Sequence, residues 1–151
     1  MRQKEIIEQF YTAFQKLDVD TMLSLYHDDI EFTDPAFGTL KGNDAKNMWR
    51  MICSKAKGFS LNYNQVTETS AHWEASYIFS ATGNKVLNKI DATFEFKEGK
   101  ISKHTDVFNV HKWASQAMGL KGKLLGGTSF FKRNLNRQTQ SLLAAYTKKN
   151  S

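Results

Sequence analysis

Along the first stretch of the chain, apolar residues recur at spacings of three and four. Ile6, Ile7, Phe10, Tyr11, Phe14 and Leu17 form one stripe, which predicts an amphipathic helix. Asp18 stands where it can N-cap a second, short helix carrying Val19, Met22, Leu23 and Tyr26, and His27-Asp28-Asp29 reads as its exit turn. Ile30 to Thr33 predicts a short strand ended by Asp34-Pro35. A third helix is expected from Asn43 or Asp44, with Ala45, Met48, Trp49, Ile52 and Cys53 on one side.

From Phe59 the period becomes two. Four strands are predicted, at Phe59–Thr67, His72–Thr82, Val86–Lys97 and Lys100–Val110, separated by short polar or Gly-containing breaks. Neighbours joined by such short turns must be antiparallel. Helices first and a four-stranded meander afterwards make an α+β pattern: a curved antiparallel sheet with helices on one face. A short helix over Lys112–Met118 should end at Gly119. A glycine-rich connector follows, Gly119 to Gly127. A last helix over Ser129–Tyr146 carries Phe131, Leu135, Leu142 and Tyr146 on one stripe.

Composition narrows the class. The 151 residues are 40% hydrophobic and 24% charged, enough for one cored domain and too balanced for a disordered chain. A single cysteine, Cys53, excludes an intrachain disulfide or a cysteine metal cluster. No apolar run approaches a transmembrane length and the start lacks a signal-peptide pattern, so a cytoplasmic protein with no membrane partner is expected. The net charge of +6 is unevenly spread. All fifteen Asp/Glu and thirteen Lys/Arg lie at or before Asp106; the last eight Lys/Arg follow it with no acid among them. Such asymmetry can mark a surface for nucleic acid or anionic lipid. These bases are scattered rather than stacked in a block, which favours a basic helix lying against a slightly acidic body, its own or a partner's.

Candidate chemistry starts at Asp34. The only proline follows it, forcing an extended conformation and ending the strand, so the carboxylate projects at the strand mouth among Phe32, Ala36 and Phe37. Apolar surroundings raise a carboxyl pKa, which suits a general base; equally, such an Asp can simply cap nearby turn N–H groups. The final hairpin says more. Phe96 to Ile101 reads as a three-residue loop (Lys97, Glu98, Gly99), which puts even-numbered residues of both strands on one face. That face is Ile90, Ala92, Phe94 and Phe96 opposite His104, Asp106, Phe108 and Val110. A two-residue loop would swap the faces and bring Asp91, not Ala92, opposite Asp106. His104 and Asp106 are thus a polar pair on an apolar face. Such groups cost a few kcal/mol unless satisfied, so they either bond into the structure or line a cavity. The glycine-rich stretch lacks the lysine of a phosphate-binding loop, and neither a G-x-S-x-G elbow nor an H-E-x-x-H helix occurs. No metal site is expected; His27, Asp28 and Asp29 fit an exposed turn.

The chain resembles the nuclear transport factor 2 superfamily, and within it the SnoaL-like and ketosteroid-isomerase-like proteins. The resemblance runs from about Ile6 to Gly119 and is carried by Leu25-Tyr-His-Asp-Asp-Ile-Glu-Phe-Thr-Asp-Pro35, by Gly38 and Gly42, and by Ile90 to Phe96 with Gly99-Lys-Ile101. It implies a cone-shaped sheet with the N-terminal helices on its concave face, a pocket between them, and a homodimer across the sheet. Residues 1–119 would form this domain and 120–151 a basic extension with a helix, part of the same unit. In ketosteroid isomerases the Asp before the matching Pro is the general base, which falls on Asp34. Their oxyanion donors fall on Phe10, with Tyr11 beside it, and on Ala92, which argues against steroid isomerisation by that route. SnoaL-like polyketide cyclases place an acid/base Asp on a late strand with His nearby, as Asp106 and His104 stand here. The resemblance therefore implies a cofactor-independent proton-transfer enzyme, an isomerase, cyclase or lyase, for a small hydrophobic carbonyl compound. Asp34, His104 and Asp106 would be catalytic, and Phe10, Tyr11, Phe32, Trp49, Phe94 and Phe108 would line the substrate. The alternative is a non-catalytic dimeric module that binds a ligand or partner in the same pocket.

Overall fold

The computed structural model describes residues 2–151. In chain order it forms α1 (Gln3–Gln15), α2 (Val19–Ser24), β1 (Tyr26–Asp34), β2 (Gly38–Lys41), α3 (Asn43–Lys55), β3 (Ser60–Asn64), β4 (Ser70–Phe79), β5 (Asn84–Lys97), β6 (Lys100–Val107), α4 (Val110–Met118), α5 (Leu120–Leu125) and α6 (Ser129–Lys149). The six strands make one curved, open sheet in the order β2-β1-β6-β5-β4-β3. The meander from β3 to β6 is antiparallel, whereas β1 enters beside β6 in parallel and carries β2 as its own antiparallel edge.

The stripe on α1 buries Ile6, Ile7, Phe10, Tyr11, Ala13 and Phe14 against the sheet. Leu17 lies past the helix end, in a left-handed conformation (φ 56°). There Leu17 N bonds Phe14 O and Asp18 N bonds Ala13 O, the paired closure that satisfies the last helical carbonyls. Asp18 then caps α2, its carboxylate accepting from Thr21 N at 3.2 Å.

Several stretches differ from their sequence expectation. Tyr26 to Asp29 are strand, not helix and turn: β1 starts at Tyr26, and its register against β6 slips between Tyr26 and Glu31. The irregularity absorbs the two aspartates, so the alternation that marks a strand is lost there. β2 has no counterpart among the expected elements; at four residues it is too short to show a period. The glycine-rich stretch is not a flexible connector but α5, packed against α4. Gly122 faces α4 so closely that a Cβ would fall on the Ala114 carbonyl, and Gly126 sits over Ala114 in the same way. Here glycine marks close approach rather than flexibility. The last strand also ends early, at Val107, because Asn109 caps α4 by accepting from Lys112 N at 3.0 Å.

The last hairpin reaches the expected faces by a different route. Lys97 pairs with Lys100, so the loop is only Glu98-Gly99, both at positive φ (54° and 76°). That is a tight two-residue turn, which alone would swap the faces. The register slips one residue later, with Phe96 opposite Ile101 but Glu95 opposite Lys103, so Ser102 is a bulge that restores the original parity. Phe94 therefore faces His104, Ala92 faces Asp106, and Asp91 points outward.

The main core lies between the concave sheet face and α1, α2 and α3. A second cluster gathers Val86 with Trp113, Ala114 and Ala117 of α4, and Tyr77 and Phe108 touch both clusters. On α6 the buried residue is Leu143, while Leu142 of the expected stripe is exposed. Substituting Gly122→Ala should destabilise the protein by about 1–3 kcal/mol, because backbone rather than a movable side chain occupies the space; a urea titration with an unchanged midpoint would refute the close α4–α5 contact.

Candidate functional site

His104 and Asp106 stand two residues apart on β6, so both side chains leave the same face, and the bond between them is short. His104 Nε2 lies 2.9 Å from Asp106 Oδ1. On its other side, His104 Nδ1 lies 2.7 Å from the Tyr26 hydroxyl, which accepts from Trp49 Nε1 at 2.9 Å. Indole can only donate. The Tyr26 proton is therefore free to go to Nδ1, which leaves Nε2–H to donate to Asp106, and every donor in the chain finds an acceptor. Trp73 Nε1 donates to the same Asp106 oxygen at 3.4 Å. His104 is fully buried and Asp106 nearly so, yet among the described residues neither ring nitrogen of His104 is unpaired.

The aromatic residues expected to line a substrate pack on the imidazole. Ring centroids of Phe94, Phe32 and Phe10 lie 4.5, 5.1 and 5.4 Å from it, and Trp49 stacks at 6.0 Å. Phe108 is only half-buried and sits where the two hydrophobic clusters meet.

Asp34 occupies the end of β1, paired with Gly38 across the β1–β2 turn. Its Oδ1 accepts from Ala36 N at 3.0 Å and Phe37 N at 2.6 Å, so it does cap its own turn. Burial nevertheless pushes its pKa up to about 7; the Phe37 N–H opposes this and the charge of Asp106 adds to it. The carbonyls of the same turn are taken by α6. Asn136 Nδ2 donates to Pro35 O at 2.8 Å, Thr139 Oγ1 to Ala36 O at 2.7 Å and Gln140 Nε2 to Phe37 O at 3.2 Å. The helix thus straps the turn that carries Asp34. Burial raises the pKa of Tyr77, and the charge of Asp34 adds to the rise.

Tyr11 is the remaining group. It is fully buried, ring-stacked with Tyr63 at 5.6 Å, and its hydroxyl has no hydrogen-bond partner. Its pKa is pushed up, first by burial and then by the charge of Asp106. A buried, unpaired hydroxyl costs about 1–3 kcal/mol.

Several site residues carry no signal of their role in the sequence. Tyr26 falls on the expected stripe of α2, and Trp73 and Tyr77 look like ordinary strand residues. Asn88 is buried on the concave face between Val86 and Ile90, and extending the even-numbered face of β5 by one more step finds it. On the outer face, His72 Nδ1 and Nε2 lie 2.8 Å from Asp91 and Glu74, and burial is too slight to offset the rise in its pKa. Among the described residues, no group of three or more His, Cys, Asp or Glu is placed to hold a metal ion. A surface groove between α6, β2 and the start of α3, lined by Thr39, Leu40, Asp44 and Leu143, contains none of these site residues.

Comparison with known proteins follows the same lines. The family model described as SnoaL-like domain matches residues 7–104. A comparison with curated protein sequences finds no match. Among solved structures, an NTF2-like protein of Burkholderia thailandensis is 19% identical, with 78% of this chain and 98% of that one covered and a TM-score of 0.66. A proposed polyketide cyclase of Pseudomonas putida is 18% identical over 78% and 98%, TM-score 0.61. An epoxide hydrolase of Mycobacterium tuberculosis, of the LEH-like kind, is 21% identical over 82% and 90%, TM-score 0.59. At these identities the likeness is one of fold.

The raised pKa of Asp34 fixes a sign. Between its ordinary 3.8 and about 7, the folded state holds a proton that the unfolded state has lost. The contribution of this group to stability therefore falls as pH rises across that window, by up to about 1.4 kcal/mol for each pH unit crossed. Asp34→Asn keeps the acceptor of the turn and should flatten the decline, measured as urea midpoints from pH 4 to 8. An identical slope in the variant would mean the carboxyl titrates normally. Tyr26→Phe should cost about 1–3 kcal/mol, because it strands both Trp49 Nε1 and His104 Nδ1; a thermal melt matching the parent would break the network.

Proposed function

This chain belongs to the SnoaL-like domain family, and on that footing we propose that it is a cofactor-independent proton-transfer enzyme acting on a small hydrophobic carbonyl compound. The observation that carries the reading is the Tyr11 hydroxyl, buried without a partner and within electrostatic reach of Asp106. An enolate oxygen supplies the acceptor that this hydroxyl lacks. Asp106 takes the proton from the carbon beside the carbonyl through Oδ2, which makes no hydrogen bond among the described residues, while His104 and Trp73 fix the carboxyl through Oδ1. The electron pair of the broken C–H bond moves onto the carbonyl oxygen beneath Tyr11. Return of a proton to a different carbon completes an isomerisation, and attack of the enolate carbon on a second carbonyl completes a cyclisation. Asp34, at about 7, can hold a proton for that return near neutral pH.

We assign His104 as a positioning residue, since both its nitrogens are engaged, and Phe108, Tyr77 and Asn88 to the approach by which substrate enters. A specific observation favours the second reading, a ligand-binding module without turnover. The rings of Phe10, Phe32, Trp49 and Phe94 close around His104, and α6 closes over the Asp34 turn.

Exchange of hydrogen for deuterium beside a carbonyl, followed by NMR over a panel of hydrophobic ketones and polyketide-like compounds, separates the two. The enzyme reading expects exchange that Asp106→Asn slows by about a hundredfold or more. Ligands that bind by calorimetry but never exchange would establish the module. If Asp34 returns the proton, kcat/KM falls as pH rises through about 7, and Asp34→Asn abolishes that limb; a rising limb would instead make Asp34 the base. His104→Gln should lower kcat with little change in KM, as expected of a residue that aims another.

A further inference from the structure

The segment after α4 combines two features that seldom share a surface. Leu120, Leu124 and Phe130 are 72%, 70% and 66% exposed, and Leu125 is nearly half exposed. All four fall within one short stretch of chain, across α5 and the start of α6. Exposed beside them stand Lys121, Lys123, Lys132 and Arg133. None of the eight basic residues after Asp106 pairs with a carboxylate among the described residues. Within the chain, then, this charge faces outward and is not compensated by ion pairs, although α6 itself lies against α3 and the Asp34 turn.

This display is built, not slack. Gly122 and Gly126 turn inward against Ala114, which leaves Leu120 and Leu124, one helical turn apart, on the opposite side. His111 Nε2 donates to Lys123 O at 2.7 Å, Gly126 N to Gly122 O at 2.7 Å and Thr128 Oγ1 to Leu125 O at 2.7 Å. The corner is held while its leucines and phenylalanine stay in water, at a cost that burial elsewhere would recover.

We propose that the α5–α6 corner is a docking surface for a membrane bearing anionic headgroups. A bilayer interface takes both features at once: apolar side chains reach the acyl boundary while Lys and Arg meet the headgroups. Nucleic acid would satisfy the charge and leave the leucines in water. A second copy would set one acid-free basic segment against another, which repels. Among the described residues no helix is long and apolar enough to cross a membrane, and the attachment proposed is peripheral. The sequence expectation of no membrane partner rests on the lack of a transmembrane-length apolar run and of a signal-peptide pattern, neither of which bears on a peripheral surface.

The test is flotation of the full chain with lipid vesicles. At low salt it should float with phosphatidylcholine vesicles containing about a third phosphatidylglycerol, not with phosphatidylcholine alone, and be released by raised salt. Leu124→Ser/Phe130→Ser keeps every charge and alters only exposed positions; it should lower the bound fraction about tenfold. Lys121→Glu/Lys123→Glu should lower it as much. Three results would overturn the proposal: no flotation with the anionic vesicles, flotation unchanged in the Leu124→Ser/Phe130→Ser variant, or a fall in sedimentation mass in that variant, which would make the patch a contact between copies. Circular dichroism of both variants establishes that any loss is not unfolding. Duplex DNA competing the protein off anionic vesicles at equal phosphate would likewise assign the surface to nucleic acid.

Discussion

A charged or polar group with no exposure must be answered by the residues around it, and His104 is such a group. The network on its two nitrogens draws on three other elements, Tyr26 from the start of β1, Trp49 from α3 and Trp73 from β4, together with Asp106 of β6 itself. Because indole only donates, the direction of the whole chain is set, and with it the rotamer of each ring. The parallel entry of β1 beside β6 is what brings Tyr26 within reach. The same network leaves one Asp106 oxygen, and nearby the Tyr11 hydroxyl, without a hydrogen-bond partner among the described residues.

The Asp34 turn is satisfied from two sides by different means. Its N–H groups bond to the Asp34 carboxyl; its three carbonyls bond to side chains of α6. The turn is thereby fixed and buried, and it is the burial, opposed by the two N–H bonds, that raises Asp34. A structural role and a perturbed proton are consequences of one arrangement rather than rival explanations of the same residue.

What is legible in the sequence follows from where its signals are redundant. The helices α1 and α3 repeat their apolar stripe over three turns or more, and the meander alternates over long strands. His104 and Asp106 are legible because they interrupt that alternation. The hairpin parity comes out as expected although the loop has two residues, since the tight turn and the bulge at Ser102 cancel. Tyr26 is hidden because the slip in β1 falsifies the period just where it sits. The orphan hydroxyl of Tyr11 is beyond reach for another reason: a stripe says that a tyrosine is buried, not whether its oxygen finds a partner. α5 is hidden because glycine carries two opposite meanings, freedom and tight contact, and only the neighbour decides.

The bond between Tyr26 and His104 joins residues 78 positions apart, and the strap on the Asp34 turn joins residues about a hundred apart. On a growing chain these closures come last. The β1–β2 hairpin leaves the ribosome first, with its β6-facing edge unpaired until β6 has been made and folded back. α6 can strap Asp34 only once about a hundred further residues have been made. The local meander can form early from near neighbours, whereas the site waits for the longest loops to close. A chain stalled before α6 thus lacks the strap on the Asp34 turn, however much of its sheet has formed.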